Sequence, residues 1–274
     1  MTWKKYMSAL LCWVCCLGIA HAQDYKVVYK TAQCKWLDTG KALALGETLK
    51  AGDKVELGKA SGKLILWNKA TGLTMMASRK LESGKWQTSG PVGELQQALP
   101  AVATHSEQIA SMEDLQAHFA GRNYLILEKT WLLAAPQFTL DGDTVLFYKF
   151  ECPLANLQVN RKVEHSGDSL LLTPELILDM NGKPVPANDA SGFQLHWLDL
   201  KTKGYKQLAR FEFVFPDEVA LTAEVSALLS ALQADGVDKQ AILPTVHQFL
   251  VASYGDPDLH NLKIWLASRF PEVQ

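Results

Sequence analysis

The residues in this sequence that could do chemistry are few, and the first is a serine in the run Gly167-Asp168-Ser169-Leu170. A serine nucleophile needs a histidine base and, in most enzymes, an acid that orients the base. His260 follows Asp256 and Asp258 at spacings of four and two residues. The residues before Ser169 are polar and typical of a turn, so the pattern predicts a hairpin in which Ser169 opens a strand.

The same four letters resemble the nucleophile block of GDSL-type esterases. In that family the serine follows a buried strand, and the acid and base stand together as Asp-x-x-His near the C-terminus. Neither aspartate before His260 has that three-residue spacing. We therefore assign no catalytic residue and predict that the protein is not an enzyme. The alternative is a hydrolase whose site is assembled from distant residues of the C-terminal domain.

Histidine and cysteine spacing gives no sign of a metal site. No Cys-x-x-Cys pair and no glycine-rich phosphate loop follows residue 22. In the strand-like stretch 193–197, His196 lies on the face opposite three apolar residues, so we expect it to be exposed or in an interface. The sequence predicts neither a metal nor a cofactor. No two histidines of this part are three or four residues apart: they are His105, His118, His165, His196, His247 and His260.

Tryptophan residues are the candidates for binding, because exposed aromatic side chains contact sugars and peptides, and the grooves of SH3 domains are lined with them. Trp67 lies inside the apolar run at 64–67 and is expected in a core. Trp36 stands beside a predicted loop, and Trp86 closes the same region of the chain. We predict Trp36 and Trp86 as binding residues.

The first 22 residues are typical of a secretory signal. Lys4 and Lys5 form the positive end, residues 8–20 form an apolar run, and Ala20-His21-Ala22 supplies small residues before a cut at Gln23. The run is short for a membrane span, which needs roughly 20 residues. An uncleaved anchor and a lipid-modified cysteine are the alternatives. Cleavage would remove two lysines and no acid, and would change the net charge from −2 to −4.

Only two cysteines, Cys34 and Cys152, would remain after that cleavage. One disulfide between them is an option in an oxidising compartment. Cys152 shares a predicted strand face with Leu146, Tyr148 and Phe150, which favours a buried free thiol instead.

Residues 23–87 have the two-residue periodicity of short strands. Tyr25, Val27 and Tyr29 alternate with polar residues, and glycine-containing turns separate this stretch from strand-like segments at 54–57 and 64–67. No segment of this region has the apolar stripe of a helix. Several short strands in such a length predict a small antiparallel β-barrel.

Residues 44–55, together with the apolar strand that follows, resemble the small SH3-like or FecR-like β modules of exported bacterial proteins. In those modules a Leu-x-x-Gly-Asp turn precedes a strand, as residues 49–53 do here. The order of signal, small β module and α+β remainder also resembles exported proteins of Bacteroidota. The resemblance covers about a quarter of the chain, and it implies placement in the cell envelope rather than a particular chemistry.

The rest of the chain divides into a linker and a larger domain. Residues 88–105 lack periodicity and contain two prolines, so we expect a linker. Residues 106–274 begin with a helix capped by Ser111 and ending near Gly121. Alternating apolar residues then predict an antiparallel sheet, and three apolar stripes of helical spacing follow residue 217. Strands and helices in separate blocks indicate an α+β fold.

Composition narrows the function classes further. The chain has 274 residues, 48% of them hydrophobic, which suffices for the cores of two domains. Its net charge of −2 disfavours a general nucleic-acid binder. The sequence predicts a non-enzymatic binding or assembly protein, in the periplasm or on the cell surface of a Gram-negative bacterium. Its partner is a protein or a cell-wall ligand, and the mature chain has no membrane span.

Overall fold

The structure is a computed structural model, and it describes most of the chain. The predicted signal at 1–22 and the residues Gly167 and Asp168 of the GDSL-like run lie outside the described part. The chain divides into two compact units, residues 1–98 and 99–274. The described residues are 24–31, 33–59, 62–97, 99, 109–127, 132–134, 143–166, 169–180 and 182–273.

The first unit consists of short strands and one helical turn, α1 (Val92–Leu95). The strands are β1 (Asp24–Lys30), β2 (Lys35–Trp36), β3 (Thr48–Lys50), β4 (Lys54–Glu56), β5 (Lys63–Asn68), β6 (Gly72–Ala77), β7 (Arg79–Lys80), β8 (Trp86–Gln87), β9 (Ser89–Pro91) and β10 (Gln96–Gln97). They form a five-stranded sheet in the order β10-β6-β5-β1-β3, a three-stranded sheet β2-β4-β9 and the pair β7-β8, and no closed barrel is found among the described residues.

Both larger sheets of this unit contribute side chains to one core. Tyr25 and Val27 are buried in it, as their alternation predicts. The register of β1 against β5 shifts between Val27 and Tyr29, so the alternation ends there, and Val28 is also buried. Trp67 is buried, as predicted from the apolar run around it.

The predicted linker at 88–105 is wrong over its first part. β9 pairs with β4, and β10 pairs with β6, so both strands belong to the sheets of the first unit. Val92 and Leu95 of α1 are buried in the core of that unit. Segments of two to four residues have too few positions for a periodic pattern, and their structure depends on the neighbours with which they pair.

The second unit is an α+β domain, as predicted. Its strands are β11 (Asn123–Leu125), β12 (Leu132–Ala134), β13 (Thr144–Cys152), β14 (Leu157–Lys162), β15 (Glu164–Ser166), β16 (Ser169–Leu171), β17 (Asp179–Met180), β18 (Lys183–Pro184), β19 (Ser191–Asp199) and β20 (Tyr205–Val214). The helices are α2 (Met112–Phe119), α3 (Pro174–Ile177), α4 (Glu218–Ala234), α5 (Lys239–Ser253) and α6 (Leu259–Arg269), with 3₁₀ turns at Pro153–Ala155, Ala187–Asp189 and Pro271–Val273.

The main sheet of this unit has the order β11-β20-β19-β13-β14. The pairs among β13, β14, β19 and β20 are antiparallel, which confirms the predicted sheet, whereas β11 runs parallel to β20 at one edge. Smaller sheets are β12-β16-β15 and β17-β18. β15 and β16 form an antiparallel pair in which Ser166 lies opposite Ser169. Ser169 is therefore the first residue of the second strand of a hairpin, as predicted.

One face of the main sheet covers an aromatic core. Alternate residues of β13, β19 and β20 are buried there, including Tyr148, Phe193 and Phe213. The rings of Phe193 and Phe213 meet edge to face at 4.9 Å, a favoured aromatic geometry. Cys152 is a buried free thiol on the same face, and Cys34 is free as well, so the disulfide alternative is wrong.

The helices begin where the sequence supplies an N-cap. Ser111 accepts a hydrogen bond from the backbone N–H of Asp114 at 3.0 Å, and Asp217 and Asp238 cap α4 and α5 in the same manner. Helix α5 contacts both α4 and α6, so these helices pack against one another. None of the described helices combines the length and the apolar character needed to cross a membrane.

The connection between α5 and α6 is attached to the edge strand β11. The backbone N–H of Asp256 donates to the carbonyl of Asn123 at 2.8 Å, and the N–H of Leu125 donates to the carbonyl of Asp256 at 3.1 Å. The Asp256 carboxylate also contacts Arg122 at 3.2 Å and His247 at 3.1 Å. We call these five residues the Asp256 joint.

Gly255 is the position at which this attachment is most sensitive to substitution. A Cβ atom there would lie 2.5 Å from the carbonyl oxygen of Asn123, and the backbone φ of +153° disfavours other residues. We expect Gly255→Ala to lower the free energy of unfolding of the second unit by at least about 2 kcal/mol. Urea unfolding, followed by the circular dichroism of the helices, measures this loss.

Gly236→Ala is the matched control. Gly236 ends α4 with a φ of +66°, and a Cβ atom there would meet nothing within 4 Å. That substitution should cost about 1 kcal/mol for the left-handed conformation alone. Equal losses for the two variants would show that the close approach to Asn123 contributes nothing.

Candidate binding groove

The candidate site of the first unit is built around the pairing of β2 with β4. Lys35 lies opposite Glu56 and Trp36 lies opposite Val55 in this pair. The Lys35 ammonium is 3.2 Å from the Glu56 carboxylate, so the two charges neutralise each other across the strands. On its other side Lys35 forms a β-bridge with Ala42, and the chain between them turns through Gly40 at a φ of +67°.

A groove of about 440 Å³ lies beside this pair. That volume is within the range of roughly 300 to 1,000 Å³ that ligand pockets occupy. Its lining combines small residues with charged ones. Gly58 is required in this lining because a Cβ atom there would lie 2.5 Å from the Cβ of Gln33. The lining residues are Gln33, Cys34, Lys35, Gly40, Ala42, Glu56, Gly58 and Lys59.

Trp36 is fixed in place on the strand that forms the groove. Its indole N–H donates to Glu47 at 3.0 Å, and its ring packs against the core of the unit. Glu47 also accepts the backbone N–H of Ala44 at 2.8 Å and contacts Lys41 at 3.5 Å. Trp36 is therefore a partly buried framework residue of the groove region, and no motif in the sequence marks Glu47, the carboxylate that holds it.

Trp86 lies elsewhere in the unit. It belongs to the two-stranded pair of β7 and β8, opposite Lys80, and 48% of it is exposed. The structure therefore places the two predicted binding residues on different sheets. Trp86 is an exposed aromatic side chain outside the lining of the groove.

Cys34 lies at the floor of the groove, and its thiol is not a reactive group. Its thiol lies 3.4 Å from the carbonyl of Lys63 and 3.3 Å from the Thr31 hydroxyl, and the residue is fully buried. Burial raises the pKa of this thiol above its ordinary value. A thiol that stays protonated is a weak nucleophile, so the groove is suited to binding rather than to covalent chemistry.

The residues considered for a hydrolase are not brought together. Asp258 caps α6 by accepting the N–H of Asn261 at 2.9 Å, and Asp256 belongs to the joint on β11. His260 is exposed on α6, while Ser169 is paired through its backbone on β16. Asp256 and His247 form an aspartate–histidine pair, 3.1 Å apart, that connects α5 to the loop that follows it.

Two histidines of the second unit are buried. His118 lies in the last turn of α2 and is hydrogen-bonded to the hydroxyl of Tyr124. His196 was expected to be exposed or in an interface, yet it is only 2% exposed within its own unit. Among the described residues, no group of three histidine, cysteine, aspartate or glutamate side chains is placed to hold a metal ion.

A second, smaller cavity of about 190 Å³ lies between α5 and α6. Its lining is mostly apolar and includes Ile242, Leu266 and Phe270, with Lys239 and Lys263 among the remaining residues. This volume is below the usual range for ligand pockets. The groove of the first unit is the better candidate for a binding site.

The sequence pointed to this region through Trp36, but it did not identify the lining. Gln33, Lys35, Glu56 and Lys59 are ordinary polar residues of strand ends and turns, and no spacing marks them. They meet because β2 pairs with β4, a contact between segments about 20 residues apart. Comparison of the chain with protein-family models, with curated proteins and with solved structures gives no match.

The Glu47 carboxylate should give the first unit a pH-dependent stability. The N–H of Ala44, followed by Trp36 and Lys41, holds the pKa of Glu47 below its ordinary value. Because this pKa is lower in the folded than in the unfolded chain, the stabilisation is present above the ordinary pKa of glutamate and is lost as the pH falls through the folded-state value. We expect urea unfolding of this unit to require less denaturant at pH 3.5 than at pH 6.

Glu47→Gln provides the comparison, because glutamine can still accept the hydrogen bonds but does not titrate. In that variant the difference between the two pH values should become smaller when unfolding is followed by tryptophan fluorescence. An unchanged pH dependence would show that other groups of the unit are responsible.

Proposed function

We propose that this protein is an exported, non-enzymatic binding or assembly protein of a Gram-negative cell envelope. We propose also that its first unit is a divergent relative of SH3-like and FecR-like modules. The short antiparallel strands, the Leu-x-x-Gly-Asp turn and the aromatic residue beside a groove support this assignment. The ligand of the groove is an extended peptide segment, either of a protein partner or of the cell wall.

The groove beside β2 and β4 is the observation that carries this proposal. Its lining includes an ion pair, Lys35 with Glu56, that can accept hydrogen bonds from a peptide and donate to it. Ala42 and Gly40 leave room for a backbone to approach. Lys59 is exposed on the lining and offers a cation to an acidic group of the ligand.

Site-specific cross-linking tests this function in the protein as it exists. A photo-reactive amino acid at Ala42 should form a cross-link to one peptide-containing component of an envelope extract, identified by mass spectrometry. The same amino acid at the exposed position Lys50, which lies outside the groove lining, should give no cross-link to that component. Cross-linking that is equal from both positions would contradict the proposal.

Once that component is known, filling the groove should weaken its binding. We expect Ala42→Tyr and Lys59→Glu each to raise the Kd at least tenfold, which corresponds to about 1.4 kcal/mol. Lys50→Glu changes the charge of the same unit by the same amount and should leave the Kd within about twofold. Isothermal titration calorimetry gives these values, and equal thermal unfolding of the three variants excludes loss of the fold.

A further inference from the structure

The main sheet of the second unit has a second face, opposite the aromatic core. Because directly paired residues of antiparallel strands point to the same side, the register identifies its members. Phe147 lies opposite His196 on one neighbouring strand and opposite Lys162 on the other. Lys149, two residues further along β13, lies opposite Gln194. We call this side of the sheet the outer face.

Aromatic rings occupy the middle of the outer face. The ring centres of Phe147 and His196 are 5.2 Å apart and nearly parallel, and those of His196 and Tyr205 are 5.1 Å apart. Phe147 and Tyr205 approach each other to 6.2 Å although β19 lies between their strands. The two rings therefore converge over the imidazole, which explains why His196 is buried, while 58% of Tyr205 is exposed.

One ring nitrogen of the buried His196 lacks a hydrogen-bond partner among the described residues. His196 Nε2 is 3.2 Å from the side-chain oxygen of Gln194, but Nδ1 is buried and has no hydrogen-bond partner among the described residues. Burial, followed by the charge of Lys149, lowers the pKa of His196, so the ring is neutral at neutral pH. A buried polar atom without a partner costs folding free energy.

A line of polar residues runs across the strands beside the aromatic rings. Asn160, Lys149, Gln194 and Arg210 are consecutive partners on β14, β13, β19 and β20. On β13 and β19 this line lies two positions from Phe147 and His196, or about 7 Å along the strand, whereas Arg210 is five residues from Tyr205 on β20. It places cations and amide groups side by side over four strands, a width of about 14 Å.

The outer face is positive although the chain as a whole has a net charge of −2. Lys149, Lys162 and Arg210 form no ion pair with an acid of the described residues. The acids of this side, Glu151 and Glu212, lie one row further toward the end of the sheet. The Glu212 carboxylate accepts the backbone N–H of Gly192 at 3.0 Å.

We propose that the outer face binds an acidic polysaccharide. The apolar faces of its sugar rings lie on Phe147 and Tyr205, and its carboxylates contact Lys149, Lys162 and Arg210. The amides of Gln194 and of Gln207, which lies opposite His196 on β20, hydrogen-bond to its hydroxyl groups. This site is separate from the groove of the first unit and does not depend on the peptide that the groove holds.

Single-stranded nucleic acid is the other polymer that combines stacking surfaces with negative charge. The predicted export to the envelope favours the polysaccharide. The many amide groups on the face also suit a ligand rich in hydroxyls. An oligonucleotide is therefore a comparison ligand in the test rather than a second proposal.

The test uses the chain from residue 23 onward and a uronic-acid hexasaccharide as the probe. Binding by calorimetry should be saturable and should weaken as salt is raised. Tyr205→Ala and Arg210→Gln should each raise the Kd at least tenfold, whereas Tyr205→Phe should raise it less than threefold. A neutral glucose hexasaccharide should bind at least tenfold more weakly than the acidic one.

Control variants separate the outer face from the rest of the unit. Leu157→Ala removes an exposed apolar side chain and Lys183→Gln removes an exposed cation, both at positions outside the residues that define the site. Neither should change the Kd by more than twofold, and Ala42→Tyr in the groove should leave it unchanged. Addition of the hexasaccharide should shift the ¹⁵N resonances of the His196 imidazole.

Three results would overturn the proposal. The first is an absence of hexasaccharide binding at millimolar concentration. The second is binding that Tyr205→Ala and Arg210→Gln leave as strong as in the unsubstituted chain. The third is an oligothymidylate that binds more tightly than the hexasaccharide and loses affinity in the same two variants.

Discussion

The fold of the second unit depends on the backbone hydrogen bonds and close packing of residues 255 and 256 against strand β11. Parallel pairing with β20 leaves β11 at the edge of the sheet, where its other side would expose unpaired backbone groups. Asp256 satisfies two of those groups through its own N–H and carbonyl, and its carboxylate holds Arg122 and His247. One loop thus closes the sheet edge and fixes the start of α6. The absence of a side chain at Gly255 is what permits so close an approach.

Strand and helix types follow from local patterns wherever a segment is long enough to show a period. The alternation in β13, β19 and β20 and the caps of α2 and α4 are in the sequence, and the structure confirms them. Residues 89–97 show the limit of such patterns. Their strands are two or three residues long and exist because β4 and β6 present edges to them, which is a tertiary effect on weak local preference.

Candidate sites were harder to predict than the fold, and for a related reason. Trp36 stands out by residue type, yet its indole is committed to Glu47 and the groove is lined by neighbours of ordinary type. His196 was placed on the correct face by alternation, but its burial was not foreseen. That burial depends on Phe147 and Tyr205, which are 58 residues apart in the chain, converging over the ring. Local spacing predicts the face of a residue, whereas long-range pairing decides what covers it.

The groove of the first unit and the outer face of the second unit suit different kinds of ligand. The groove is lined by a neutralised ion pair, by glycine and by a buried thiol, so it offers shape and hydrogen bonds to one short segment. The outer face offers no cavity, and its rings and unpaired cations are spread over several strands. A flat surface of that kind gains affinity from many weak contacts along a polymer rather than from enclosure of one group. A cell envelope contains both kinds of ligand, and an assembly protein that holds a peptide on one unit and a glycan on the other would connect the two.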